Sequence, residues 1–307
     1  MRKNILVVGG TYFVGRVFSR MAARMGEYRL TVVNRGTRPL KDEGVDEVLC
    51  DRRDAEKLAA ALPETDWDAV VDFCAYEPGD AETLLKAVPG AVRQYVFIST
   101  CSVYANEGPS PKTELSGVLA KSGGDPGMEY GYKKLLLERE AVGACAGKNA
   151  ALTILRPTMI YGPLNYAPRE RFYFDRLIKG EPIPAPVDAS GRFQFVYVKD
   201  VAKMIMACVG NPDAAGETFN LSAPERLDYA SYLDVIANVR GEAPKTTPVT
   251  VRQVYAENIP LPFPLDFDML YDGTKAADRL GVRYVPFVDG MDETYHIYMD
   301  VHGGKGT

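Results

Sequence analysis

The chain has 307 residues, 46% of them hydrophobic and 25% charged, enough apolar material for one large core or two joined ones. A formal net charge of −5 and a pI near 5.3 argue against a nucleic-acid partner. No apolar run approaches membrane-spanning length, and Gly9 and Gly10 break the start MRKNILVVGG before it reaches a signal-peptide core, so no membrane partner and a cytoplasmic location are expected.

In chain order, apolar runs alternate with amphipathic ones. ILVVGG (5–10) reads as a buried strand, VGRVFSRMAARMG (14–26) as a helix and RLTVVNRG (29–36) as a second strand. DAEKLAAAL (54–62) follows as helix, WDAVVDFCAY (67–76) as strand, AETLLKAV (81–88) as helix and QYVFIST (94–100) as strand. A loop over 105–128, rich in Gly, Pro and Ser, suits a lid. YGYKKLLLEREAVGACA (130–146) then reads as helix and ALTILRP (151–157) as strand. Buried strands joined by helices predict an α/β fold built on a doubly wound, Rossmann-like parallel sheet. Beyond about residue 163 the alternation fades and prolines accumulate, which predicts a smaller C-terminal lobe.

The cysteines (Cys50, Cys74, Cys101, Cys145, Cys208) are scattered with no Cys-x-x-Cys spacing, as reduced thiols would be. Both histidines, His296 and His302, lie near the C-terminus, so neither a metal site nor a Ser-His-Asp triad is expected.

GGTYFVG (9–15) joins the first strand to the first helix. The run from Gly9 through Thr11, Tyr12, Phe13 and Val14 to Gly15 is therefore a candidate cradle for a dinucleotide pyrophosphate, with Tyr12 at the position where a small residue is usual. Nineteen residues after Gly15 the second strand ends in Asn34-Arg35-Gly36-Thr37-Arg38. An acid there would bind the ribose hydroxyls of NAD; a cation suits a 2′-phosphate, so NADP is preferred, with NAD the alternative. Tyr12 is expected to form a wall along the adenosine together with Arg35. The doubly wound part is expected over 1–163 as an NAD(P)-binding domain, rejoined by 192–212. The substrate lobe is expected over 164–191 and 213–307.

Tyr130 and Lys134 stand four apart near a helix start and share a face. An ammonium beside the phenol is expected to lower its pKa by roughly one to three units, fitting it to exchange a proton with a hydroxyl or carbonyl. By itself Tyr-x-x-x-Lys is a common surface pattern. Its setting is not: VFISTCSVYA (96–105), the Tyr/Lys pair with Glu138, LRPTMIYGP (155–163) and FVYVKDVA (195–202) occur in order.

This series resembles the extended short-chain dehydrogenase/reductase family, the NAD(P)-dependent sugar-nucleotide epimerases and dehydratases. The resemblance implies Tyr130 as general acid/base, Lys134 as ribose anchor and tuner of Tyr130, and Thr100 as the hydroxyl that orients the substrate oxygen. It places Asp51 and Arg52 at the adenine, and Phe73, Cys74, Ala75 and Pro157 along the cofactor. It also implies a small-molecule, sugar-like substrate with a secondary alcohol or carbonyl, and a homodimer. Asn165 and Arg169 fall at the expected cleft mouth and suit either an anionic substrate or solvent.

The departures are informative. Asp72 replaces a frequent histidine and Met159 a diphosphate-binding asparagine, while Cys101 and Ser102 lack the acid pair of the 4,6-dehydratases. The glycine loop, the Asn-Arg-Gly turn and YGPLNYAPRERFYF (161–174) resemble the atypical branch that includes the chloroplast stem-loop RNA-binding proteins. The alternative to an enzyme is thus a non-catalytic NADP-binding or RNA-binding protein of the same fold.

Overall fold

Ile5 to Val8 in β1 (Lys3–Val8) are all buried, as a strand covered on both faces requires. The computed structural model describes residues 2–41 and 44–303. After α1 (Phe13–Met25) come β2 (Tyr28–Asn34) and β3 (Val45–Leu49), then α2 (Ala55–Ala61), β4 (Ala69–Asp72), α3 (Asp80–Ala87) and β5 (Gln94–Ile98). The long α4 (Pro126–Lys148) leads to β6 (Ala151–Pro157), β7 (Met159–Tyr161), α5 (Glu170–Lys179), β8 (Ile183–Pro186), β9 (Phe195–Tyr197) and α6 (Val198–Cys208). The chain closes with β10 (Thr218–Leu221), α7 (Tyr229–Arg240), β11 (Thr246–Val249), α8 (Val251–Glu257), α9 (Thr274–Leu280) and α10 (Phe287–His302).

Seven parallel strands form the central sheet in the order β10-β6-β5-β4-β1-β2-β3. The chain runs outward from β1 to β3, then returns to β4 and runs the other way. A crevice must therefore open between β1 and β4 at the C-terminal strand ends. Helices α1 and α6 pack together on one face, and α2, α3 and α4 on the other. The doubly wound α/β sheet of the sequence reading is the observed fold. β3, with a mixed burial pattern that gives no apolar run, was not legible in it.

β10 pairs with β6 and α9 packs against it. Residues 218–221 thus lie in the main sheet, although the sequence reading placed 213–307 in the lobe. Four residues are too short to show a strand period. The pairs β7–β9 and β8–β11 stand apart from the main sheet, beside an aromatic core in which Phe193 and Phe263 lie 4.7 Å apart and Tyr173 and Tyr232 4.8 Å, although the sequence reading placed 159–161 and 195–197 in the dinucleotide-binding part.

The 105–128 segment is not a free lid. Lys112 N donates to Leu270 O at 2.9 Å, Asp272 N to Lys112 O at 2.8 Å, and Glu114 accepts from Asn220 N at 2.8 Å, so the loop is tied to the C-terminal half. Its last residues belong to α4, which starts at Pro126 behind the N-cap Asp125, four residues before the expected start. Among the described residues no helix is long and apolar enough to cross a membrane.

Candidate functional site

The glycine loop sits at the C-terminal end of β1, beside the crevice. Gly9 has φ +85°, and a Cβ on Gly15 would lie 2.3 Å from the Gly9 carbonyl oxygen, so the loop folds back on the first turn of α1 only because both are glycine. Gly10, absent from the sequence-based site, is equally constrained: a Cβ there would meet Ser19 Oγ and Val7 Cγ1 at 2.7 Å. This close turn at a helix N-terminus fits a dinucleotide pyrophosphate.

A cleft of about 1040 Å³ runs from this loop along the ends of the strands into the lobe. Gly9, Thr11, Tyr12, Phe13, Val14 and Gly15 all line it, as do Asn34, Arg35, Asp51, Arg52, Phe73, Cys74, Pro157, Asn165 and Arg169. Thr100, Tyr130 and Lys134 line it too, so nearly the whole sequence-derived set meets on one surface. Ala75 does not: it is fully buried, and its carbonyl accepts from Lys134 Nζ at 3.0 Å.

Several side chains in the cleft wall are already occupied. Asn34 Nδ2 donates to Glu47 at 2.8 Å and its Oδ1 accepts from Gly36 N at 2.7 Å, so Asn34 shapes the 34–41 loop instead of offering its amide to a ribose. The same Glu47 accepts from Leu40 N and Lys41 N. Arg52 donates to Asp72 at 2.6 Å and to Asp80 O at 2.7 Å, which leaves Asp51 as the freer group at the adenine position. Asp72 also accepts from Tyr95 Oη and Cys74 N, explaining an acid where a histidine was expected. Burial, with Asp72 adding to it, pushes the Cys74 thiol up to about 11, away from the range of a reactive thiolate.

Tyr12 is the odd residue of the loop. Its ring stacks on Tyr166 with centroids 4.9 Å apart at 22°, and the Arg38 guanidinium lies 4.4 Å over its other side. Arg38, not Arg35, is its cationic neighbour. A residue at the tip of a turn can be brought over the ring more readily than one fixed beside the end of β2. Tyr166 had no sequence signal apart from its place in the 161–174 run.

At the centre, Thr100 stands two residues beyond β5, and its Oγ1 accepts from Ser102 N at 3.1 Å. Tyr130 lies on the α4 face toward it, 41% exposed into the cleft. A Cβ on Gly131 would come within 2.1 Å of Ser102 O, so this glycine lets α4 approach the Thr100 turn. Lys134 is buried and donates to Ala75 O at 3.0 Å and Ile98 O at 2.6 Å, tying together the chain just beyond β4 and the end of β5.

The expected tuning of Tyr130 by Lys134 is not what the free protein has. Burial pushes the Tyr130 hydroxyl up to about 12, Tyr166 adds to the rise, and the opposing cation is Arg169. Burial pulls Lys134 down to about 8 against the attraction of Asp72. On the lobe side, Asn165 Nδ2 donates to Glu170 at 2.8 Å and its Oδ1 accepts from Ala167 N at 3.0 Å, so it holds the 162–169 loop in shape. Arg169 donates to Ile160 O at 3.0 Å. Met159, which the sequence reading placed at the substrate, is joined by Pro262, Pro264, Met269 and Tyr271 in a largely apolar wall that the sequence did not otherwise announce.

An open parallel sheet with a glycine turn at its switch point and a Tyr/Lys pair in the crevice defines a dinucleotide-binding protein of the short-chain dehydrogenase type. Residues 5–222 match the NAD dependent epimerase/dehydratase family, and the chain belongs to that family. It is 31% identical over 253 residues to the chloroplast stem-loop binding protein of 41 kDa b of Arabidopsis thaliana, covering 78% of this chain and 64% of that protein. The chain therefore spans just under two thirds of that relative's length. It is 26% identical over 264 residues to UDP-glucose 4-epimerase of Vibrio cholerae, covering 77% of this chain and 76% of that protein.

Solved structures of the same fold include UDP-glucuronic acid 4-epimerase from Bacillus cereus in complex with NAD, with TM-score 0.76, 18% identity and 99% of both chains covered. dTDP-glucose 4,6-dehydratase from Bacillus anthracis in complex with NAD superposes with TM-score 0.79 at 19% identity, over 98% of this chain and 97% of that one.

Proposed function

We propose that this protein is an NAD(P)-dependent epimerase or reductase acting at a secondary alcohol or carbonyl of a sugar-like substrate. The observation that carries it is the meeting of Thr100, Tyr130 and Lys134 on one wall of the cleft that also holds the glycine turn. The names of the relatives, UDP-sugar epimerases among them, support the substrate class. Gly9 to Gly15, Arg35, Asp51, Phe73 and Pro157 would hold the dinucleotide, which supplies the hydride acceptor and donor.

Tyr130 exchanges the proton at the substrate oxygen, and Thr100 Oγ1 orients that oxygen. With its pKa near 12 in the free protein, Tyr130 rests protonated, ready to act first as an acid toward a carbonyl. Lys134 fixes the floor of the cleft and places a positive charge beneath it. Arg35 and Arg38 line the second-strand loop, and both oxygens of Glu47 are engaged there, which supports preference for NADP over NAD. The lobe of 164–191 and the remainder of 213–307 would carry the substrate. A homodimer and a cytoplasmic setting, consistent with five free cysteines, complete the proposal.

Tyr130→Phe tests it. Wild type and variant alike should bind NADPH more tightly than NADH, while turnover of the variant on a sugar and carbonyl panel falls by about 10²- to 10⁴-fold. Unchanged turnover would remove Tyr130 from the chemistry, and equal binding of the two cofactors would remove the role of Arg35 and Arg38. The Arabidopsis relative's name favours a second reading, RNA binding. It requires stem-loop RNA affinity that falls steeply with salt, against a net charge of −5.

A further inference from the structure

Three guanidinium groups in and beside the cleft are wholly or partly withdrawn from water, and two of them have a carboxylate. Arg52 pairs with Asp72 and Arg156 with Glu138, each at 2.6 Å. Arg169 is the exception. Among the described residues it forms no ion pair; its one hydrogen bond goes to the neutral Ile160 carbonyl. The adjacent Glu170 makes no ion pair with it, its oxygens being taken by Gly162 N at 2.8 Å and Asn165 Nδ2 at 2.8 Å, and acts on it only at longer range. A half-buried cation outside ion-pair distance of any carboxylate among the described residues is costly, and burial holds Arg169 below its ordinary range although the Glu170 charge acts against that.

The other cations lining the cleft do not compete for the same ligand group. Arg53 pairs with Asp80, Lys134 is held by two carbonyls, and Arg35 and Arg38 belong to the second-strand loop. The lobe side offers Arg169 against the apolar wall of Met159, Pro262, Pro264 and Met269. One cation suits one anionic group; a diphosphate would want more. Arg169 also lies near enough to Tyr130 to act on its hydroxyl.

We propose that Arg169 is the docking point for an oxyanion, a carboxylate or a phosphate, that the substrate carries close to the alcohol or carbonyl served by Tyr130. This deepens the epimerase or reductase reading and rests on it. The guanidinium fork presents parallel N–H groups that fit either oxyanion, and Asn165, engaged within its own loop, does not share the task.

The test is calorimetric titration of the cofactor-loaded protein with D-glucose, D-glucuronate, D-glucose 6-phosphate and UDP-glucose. At least one of the two charged hexoses should bind about 10- to 100-fold more tightly than glucose, and which one does so tells carboxylate from phosphate. Arg169→Gln should abolish that preference while leaving glucose and cofactor affinity unchanged. Arg169→Lys, which keeps the charge and loses the fork, should retain part of it and serves if the glutamine variant does not fold. No preference in wild type, a preference untouched by both variants, or a loss confined to UDP-glucose would overturn the proposal. Because the readout is binding, an Arg169-dependent preference in a protein that never turns over would leave the anion site standing and remove only the acid/base reading.

Discussion

Lys134 shows at the scale of one residue how a position proposed for catalysis differs from a comfortable one. Its side chain is 2% exposed, and its ammonium is pulled down to about 8 from an ordinary 10.5. Below pH 8 it is charged in both states, and burial of that charge costs about 3 kcal/mol. Between 8 and 10.5 the unfolded chain binds the extra proton, so stability from this group rises with pH across that window. In Lys134→Met the rise should be missing. Urea unfolding at pH 7 to 10.5 should therefore show the wild-type-minus-variant difference moving in favour of wild type from about pH 8 upward. A difference that stays flat would mean Lys134 is solvated in solution.

Among the elements, α4 and the Thr100 turn form the pair that assembles the site. The contact is made at Gly131, where an added Cβ would meet Ser102 O at 2.1 Å. A backbone oxygen cannot swing aside as a side-chain tip can, so Gly131→Ala must push the helix away from the turn. The expected result is a loss of about 1–3 kcal/mol in stability, with turnover falling further than cofactor affinity because Tyr130 moves away from Thr100. Unaltered melting and turnover would show that the gap is not needed. The sequence reading assigned no role to Gly131. The spacing exposes Tyr130 and Lys134, whereas the role of the residue between them depends on a turn some thirty residues earlier in the chain.

Over the whole molecule, one apolar core runs from Ile5 and Val7 of β1 through α1 and α6 to Phe193, Tyr232 and Phe263 of the lobe. Sheet and lobe share this core, so they should unfold together. Trp67, the single tryptophan, is buried just ahead of β4 and reports on the sheet alone, while far-UV ellipticity reports on both parts. Thermal unfolding followed by the two signals should give one coincident transition. An earlier ellipticity loss with Trp67 still buried would show the lobe to be an independent unit.

The order of strands and helices through β6 was legible because each buried strand is an apolar run and each helix shows its stripe, both properties of local sequence. The glycine turn and the Tyr130/Lys134 pair were legible as candidates for a similar reason, since their spacings lie within single elements or turns, whereas Thr100 came from the family resemblance carried by the order of the motifs. β3 and β10 were not, since their residues become strands only by pairing with β2 and β6. Nor could spacing reveal that Asn34, Arg52 and Asn165 are occupied, that Arg38 and Tyr166 both contact Tyr12, or that Arg169 forms no ion pair among the described residues. Those are facts about which side chains meet across the fold, and that meeting is decided where the sheet, the loops and the lobe close on one cleft.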